Sequence, residues 1–228
     1  MSHEELQVVW LALKVGLWVV VLSLIPGIGV AWGLARMRSK FKGLLQGLVM
    51  LPLVLPPVVT GYLLLLLLGR SSFLGEWIYS LTGHHIAYTQ SAAVLAAAVV
   101  GFPLLVESVR LAMEAVDPAL ENVSRSLGHS RFSTFRRITL PLSMPGILAG
   151  SVLTFARALG EFGATIILAG NIEGETRQIP MAVYTLLNQP GKEDAVLRLG
   201  MVSVALALLS LWGSAWLRQR HKRGFGTS

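Results

Sequence analysis

Three stretches of this chain, residues 15–35, 43–69 and 199–217, contain no Asp, Glu, Lys or Arg at all. A helix needs about 20 predominantly apolar residues to cross a hydrocarbon core of roughly 30 Å, so each stretch is long enough to span a bilayer. A fourth uncharged stretch, 77–106, holds Gly83, His84 and His85 in its first part. Its span is therefore expected near 89–106, continuing towards Ala112. A fifth, 146–170, is apolar except for Arg157 and Glu161. The composition agrees, with 54% hydrophobic and only 14% charged residues and a mean hydropathy of +0.65, whereas a soluble domain carries roughly 25% charged residues. The expected fold is all-α and integral to a membrane. One transmembrane domain covers residues 1–228, with about five spans near 10–36, 44–69, 89–112, 146–170 and 198–217.

Lys and Arg are placed unevenly between the spans. With the N-terminus outside, the inner side receives Arg36, Arg38, Lys40 and Lys42, then Arg110, Arg125, Arg131, Arg136 and Arg137, and finally Arg218, Arg220, Lys222 and Arg223. The outer loops keep Arg70, Arg177, Lys192 and Arg198. The positive-inside rule then puts the N-terminus outside and the C-terminus inside. The net charge of +7 and pI of about 10.2 are thereby explained by a basic inner face without nucleic acid, for which no platform of aromatic and basic residues is present. Glu4 and Glu5 flank the first span, which is longer than a signal-peptide core, so a retained helix is expected. No cysteine is present, which excludes disulfides and thiolate metal sites. No GxxxxGK[ST] string occurs, so ATP chemistry has to come from a partner chain.

Residues 111–145 form a polar segment between apolar runs. Asp117 is a good helix N-cap with Pro118 at the first helical position, and Gly128 is a stop, so a helix is expected over 118–127. Leu120, Val123 and Leu127 fall on one of its faces; Glu121 and Arg125, spaced i and i+4, fall on the other. Ser130 offers a second N-cap, Phe132 and Phe135 share a face, and Leu140-Pro141 is expected to stop the chain before the next span. An amphipathic, well-capped segment of this kind reads as a docking element for an apolar partner surface.

From Gly128, Ile138 lies ten residues on, followed by Thr139, Leu140 and Pro141. This G-x9-I-x-L-P spacing resembles the second half of the EAA loop in permease subunits of ABC importers, in which the loop docks into a groove of the ATP-hydrolysing subunit. The first half departs from the pattern. Asn122, Val123 and Ser124 stand where the family has Glu-Ala-Ala, and Glu121 lies one residue early, so Glu121 is carried only as a candidate polar contact. Leu51-Pro52-Leu53-Val54-Leu55-Pro56-Pro57-Val58-Val59 with Gly61-Tyr62, and residues 155–165 from Phe155-Ala156-Arg157 to Gly163-Ala164-Thr165, resemble the permeases of molybdate importers, with sulfate and tungstate permeases as close relatives. The resemblance implies a type I importer permease fold in a bacterial inner membrane. It also implies a homodimeric channel, two cytoplasmic ATPase subunits carrying ATP and Mg, no cofactor on this chain, and an extracytoplasmic oxyanion-binding protein. The coupling residues would be Glu121, Gly128, Ile138, Leu140 and Pro141.

Pro52, Pro56 and Pro57 remove backbone donors within the second span, and a kink is expected there, serving either packing or a pore lining. Arg157 and Glu161 stand one helical turn apart, roughly 16 and 22 Å along their span at 1.5 Å per residue. Intramembrane charges of this kind mark a pathway or form a self-neutralising structural pair. Gly160 and Gly163 beside them suit close helix approach. A carboxylate repels an oxyanion, so the pair alone is not expected to form a deep anion site. Together with Pro56 and Pro57 these are the candidate gate residues. Gly29 and Gly33, Gly43 and Gly47, and Gly146 and Gly150 carry the spacing of close helix contacts. Residues 179–188 are too short to span and are expected as an outer interfacial or re-entrant helix. His84-His85, without Asp, Glu or Cys neighbours, reads as a solvated loop rather than a metal site. An autonomous channel or secondary transporter would use Arg157 and Glu161 as its coupling pair, but no inverted repeat accompanies them.

Overall fold

The computed structural model describes residues 1–224, with side chains described as far as Ala215, Ser214 aside. Helices joined by turns make up the fold, and no strand occurs among the described residues. The side chains of Arg218, Arg220, Lys222 and Arg223 lie outside the described set.

α1 (His3–Arg36) begins in a capping box, where Ser2 Oγ accepts from Glu5 N at 3.2 Å and Glu5 Oε2 accepts from Ser2 N at 3.0 Å. α2 (Lys42–Val54) and α3 (Pro57–Leu68) follow, then a short amphipathic α4 (Phe73–Thr82) that ends at Gly83 with φ +72°. α5 (Gln90–Glu114) is capped by Thr89 Oγ1, which accepts from Ala92 N at 3.3 Å. It is the central helix, packed against α1, α9 (Met144–Leu159) and α10 (Gly163–Ala169). Its small residues Ala92, Ala93, Ala96 and Ala97 are fully buried and let Val15, Val19 and Leu168 approach. The polar segment contributes α6 (Pro118–Ser126), α7 (Arg131–Thr134), a π turn (Phe135–Thr139) and α8 (Leu140–Leu142). α11 (Ile179–Leu187) and α12 (Glu193–Gly224) close the chain.

Among the described residues, three unbroken helices are long and apolar enough to cross a membrane: α1, α5 and the part of α12 from Glu193 to Gly213. Two further candidates are bent pairs, α2 with α3 at 106° and the α7–α8 segment with α9 at 67°, and the total reaches five if each pair is one crossing. The expected kink near Pro52–Pro57 is therefore a sharp turn at Leu55-Pro56. Pro56 and Pro57 donate no hydrogen bonds, and Pro57 restarts the helix at its first position, where no donor is needed. Two expectations need correction. The stretch 146–170 is not one helix, because the chain leaves helical geometry at Gly160 and resumes at Gly163. Nor does Leu140-Pro141 stop the polar segment. Leu140 N donates to Phe135 O in the π turn, the helical path runs on to Leu142, and the break falls at Ser143. The wider π turn leaves a place for a residue without an N–H, which Pro141 fills.

The glycine pairs divide by surroundings. A Cβ at Gly146 would lie 3.0 Å from Ser108 O, and one at Gly150 would lie 3.0 Å from Ser108 Cβ, so this pair is the contact of α9 with α5. A Cβ at Gly29, Gly33, Gly43 or Gly47 meets nothing within 4 Å. At Gly61 it would lie 2.7 Å from the Cα and carbonyl oxygen of Ala164, which is backbone and cannot rotate away. Gly61→Val is expected to lose more than the roughly 1–3 kcal/mol of ordinary overpacking, seen as a several-fold drop in protein recovered from membranes as a single size-exclusion peak. Gly29→Val should be recovered at wild-type yield; equal losses at both positions would contradict this packing.

Candidate functional site

The polar segment is a platform with one face tied down and one face open. Asp117 Oδ1 accepts from Ala119 N at 2.8 Å and starts α6. At its end Gly128, with φ +87°, donates to Arg125 O at 3.0 Å, and His129 N donates to Ser124 O at 3.3 Å. These are the two bonds of a Schellman ending, which favours a residue without Cβ at the left-handed position. Ser130 Oγ caps α7 by accepting from Ser133 N at 3.2 Å. On the inner face, Ser124 and Thr134 share a buried hydroxyl–hydroxyl bond of 3.0 Å. The open face carries Leu120, Val123, Leu127 and Phe132, of which Leu127 is 75% exposed.

Glu121 differs from the expectation. It does not stay on the outer face beside Arg125. It accepts from Thr139 Oγ1 at 2.5 Å and forms an ion pair with Arg36 at the end of α1. Arg36 Nη2 also donates to Met113 O at 3.1 Å. A partly buried carboxylate reached by a guanidinium and a hydroxyl is better satisfied there than by a solvated i+4 partner. Thus the polar contact allotted to Glu121 is a tether holding the platform against α1 and α5. Leu140 packs beneath it with Phe135, whose ring meets Trp32 at 4.7 Å between centroids, while Ile138 is half-buried and Pro141 exposed. Sequence spacing marks neither Arg36 nor Thr139 as a contact of this platform. Arg36 reads only as an inner-side charge, and Thr139 occupies an unspecified place in the G-x9-I-x-L-P spacing. A second tie joins Lys42 to Glu114 at 2.9 Å, while Arg110 is clamped between Glu107 and Glu114 at 2.5 and 2.6 Å.

The second cluster lies where the two broken helices meet. Gly160 ends α9, and Glu161 falls in the break rather than inside a helix. Its side chain turns inward, 1% exposed. Oε1 accepts from Ala164 N at 2.9 Å and so caps the first turn of α10; Oε2 lies 2.6 Å from Arg157 Nη1. Thr165 Oγ1 reinforces the turn by donating to the carbonyls of Glu161 and Phe162 at 3.2 and 3.1 Å. A Cβ at Gly163 would stand 2.9 Å from Pro57 Cβ and 3.0 Å from Val58 N, so the restart of α10 is seated on the restart of α3. Pro57, Glu161, Gly163 and, through Glu161, Arg157 are therefore brought together. Pro56 is exposed beside this contact, and Gly160 is exposed in the break. Gly61 belongs to the same contact, and the hydroxyl of the neighbouring Thr60 is buried with no hydrogen-bond partner. The arrangement joins two discontinuous helices through small residues and neutralises its one buried carboxylate internally. Irregular backbone at such depth is tolerated where protein or a water-filled path satisfies it. His84-His85 forms no metal cluster among the described residues, and the His85 ring stacks on Tyr79 at 4.3 Å.

Residues 25–223 match the family model described as the binding-protein-dependent transport system inner membrane component. The molybdenum transport system permease protein ModB of Escherichia coli (strain K12) is 52% identical over 217 residues, covering 95% of each chain. The protein of the same name from Haemophilus influenzae is 46% identical over 222 residues, covering 97% of each. In fold, the chain is similar to the structure of the MetNI methionine ABC transporter, with a TM-score of 0.74 at 15% identity over 96% of this chain and 99% of that one. It is also similar to a bacterial alginate ABC transporter in complex with a periplasmic protein, with a TM-score of 0.74 at 18% identity over 100% and 82%. The chain belongs to the family of binding-protein-dependent transport system inner membrane components, among the permease proteins of molybdenum transport systems.

Proposed function

We propose that this chain is the channel-forming permease subunit of an ATP-driven molybdate importer, moving the oxyanion into the cytoplasm by alternating access. The full-length likeness to the molybdenum permeases carries the reading, at 52% identity across 95% of both chains. The chain is the membrane subunit and not itself an enzyme; ATP and Mg sit on a separate ATPase chain. Two copies of the permease form the channel, two ATPase subunits receive the open apolar face of Leu120, Val123, Leu127 and Phe132, and an extracytoplasmic binding protein delivers the anion. The positive-inside arrangement supports a multi-pass protein of the bacterial inner membrane, with the N-terminus outside and the platform inside. Each bent pair is then one crossing, giving five.

In this reading Gly128, Ile138, Leu140 and Pro141 shape the platform, Glu121 ties it to α1, and movement of the platform is passed to the α3–α10 contact through α9. The contact at Pro57 and Gly163, with Glu161 and Arg157, forms the gate. Because Glu161 is neutralised by Arg157 and the Ala164 N–H, it need not repel the passing dianion.

The experiment is uptake of radiolabelled molybdate by proteoliposomes holding the permease, its ATPase and its binding protein, with unlabelled tungstate or sulfate as competitors. Uptake should require ATP and both partners, and excess sulfate should leave most of it intact. Uptake without the ATPase would mean an autonomous channel or secondary transporter. Equal competition by sulfate would move the assignment to a sulfate-type importer.

A further inference from the structure

Two cavities on the open side of α1 meet end to end. The first is a groove of about 630 Å³ between α1, α2 and α5, walled by Pro26, Val30, Leu45, Leu48 and Phe102. The second, of about 720 Å³, lies between the end of α1 and the α6–α7 platform, where Arg36, Arg38, Arg125 and Arg131 face a single carboxylate, Glu121. Gly33 and Met37 line both. A Cβ at Gly33 would meet nothing within 4 Å, so the passage between groove and cleft is open.

The charges in the cleft are not balanced within the chain. Glu121 serves Arg36, whose Nε is buried without an acceptor. Arg38, Arg125 and Arg131 have no carboxylate partner among the described residues. An apolar slot running along a membrane helix into a basic cleft at its end matches one molecule, an acyl chain bearing an anionic head group. We infer that this composite site binds an anionic phospholipid from the leaflet on the platform side, its phosphate among Arg38, Arg125 and Arg131 and an acyl chain in the groove past Gly33.

Lipid tails are as apolar as the groove, so occupancy of the groove alone selects no lipid; selection comes from the arginines. A second copy packed on this face about a two-fold axis through the cleft would bring the same arginines to it and be repelled. A free oxyanion would satisfy the cleft but leave the groove unused. The lipid sits against the Arg36–Glu121 tether, so its presence would brace the platform where it joins α1.

The test is native mass spectrometry of the transporter purified from membranes in mild detergent, titrated with dioleoylphosphatidylglycerol or dioleoylphosphatidylcholine. Phosphatidylglycerol should be retained about ten-fold more strongly, and Arg38→Gln and Arg131→Gln should each weaken it by about five-fold while leaving phosphatidylcholine unchanged. Gly33→Leu, whose side chain enters the open passage, should weaken phosphatidylglycerol without changing the thermal midpoint in lipid-free detergent. Both arginines are exposed, so their variants remain informative if Gly33→Leu fails to fold. Equal retention of the two lipids, or no effect of the arginine changes, overturns the inference. So does displacement of phosphatidylglycerol by millimolar inorganic phosphate with Gly33→Leu silent, which would assign the cleft to a free oxyanion. A disulfide between two copies of Gly33→Cys in membranes would assign the groove to a subunit contact and overturn it as well.

Discussion

Gly128→Glu should reduce molybdate uptake by about tenfold or more, equivalent to roughly 1.4 kcal/mol or more of lost coupling, while the permease still reaches the membrane at normal abundance. The effect has two sources. Gly128 sits at φ +87° in the Schellman ending of α6, a conformation that disfavours a side chain by about 1–2 kcal/mol. A Cβ there meets nothing within 4 Å of this chain, so the fold itself does not object to bulk. The carboxylate instead projects beside the apolar face of Leu127 and Phe132, where a partner groove would have to bury it unpaired. Gly128→Asn separates the two sources, because Asn tolerates the left-handed region and carries no charge; it should keep most of the uptake. Copurification of the ATPase with Gly128→Glu at wild-type yield, together with normal uptake, would contradict the docking role.

Arg157→Ala and Glu161→Ala should both impair uptake, and unequally. Removing Arg157 leaves a carboxylate that is 1% exposed with only the Ala164 N–H for company, a loss of about 3–5 kcal/mol for a buried pair broken on one side. Low membrane abundance is expected. Removing Glu161 uncaps α10 and frees Arg157, whose side chain is 28% exposed and still reaches water or head groups, so abundance should fall less. The double variant distinguishes the roles. Restored abundance with uptake still low places the pair in the gate; restored uptake makes it structural only. Wild-type uptake in Glu161→Ala alone would refute both roles.

The platform was legible because its determinants are local. Asp117, Pro118, Gly128 and Ser130 each act within four residues of themselves, and all four perform the expected bond or conformation. The start of α5 near Thr89 was readable from Gly83, His84 and His85 before it, and α11 from a run too short to span. Contacts across long separations were not. Glu121 and Arg36 lie 85 residues apart, and nothing near Glu121 announces a better partner than Arg125. The turn of 106° between α2 and α3 is set by seating Pro57 against Gly163 and Gly61 against Ala164, whereas the prolines alone specify only that the helix cannot continue. Glycine spacing had the same limit, since Gly146 and Gly150 meet α5 while Gly29 and Gly33 face open space. The break at residues 160–162 was hidden because Gly160 and Gly163 suit a close-packed continuous helix as well as an interrupted one.

The chain contains no cysteine, so a single Gly160→Cys thiol reports on the break alone. Gly160 is exposed with φ −95°, and no side chain or other helix lies within 4 Å of a Cβ there. The measurement is the rate at which a membrane-impermeant maleimide labels this thiol in the assembled transporter, from each side of the membrane, without nucleotide and in a trapped ATP state. If the break is the gate and the platform drives it, labelling should switch sides between the two states, and adding Gly128→Glu should abolish the switch while the thiol stays reactive. Labelling that is identical in both states, or a switch that survives Gly128→Glu, would contradict the account.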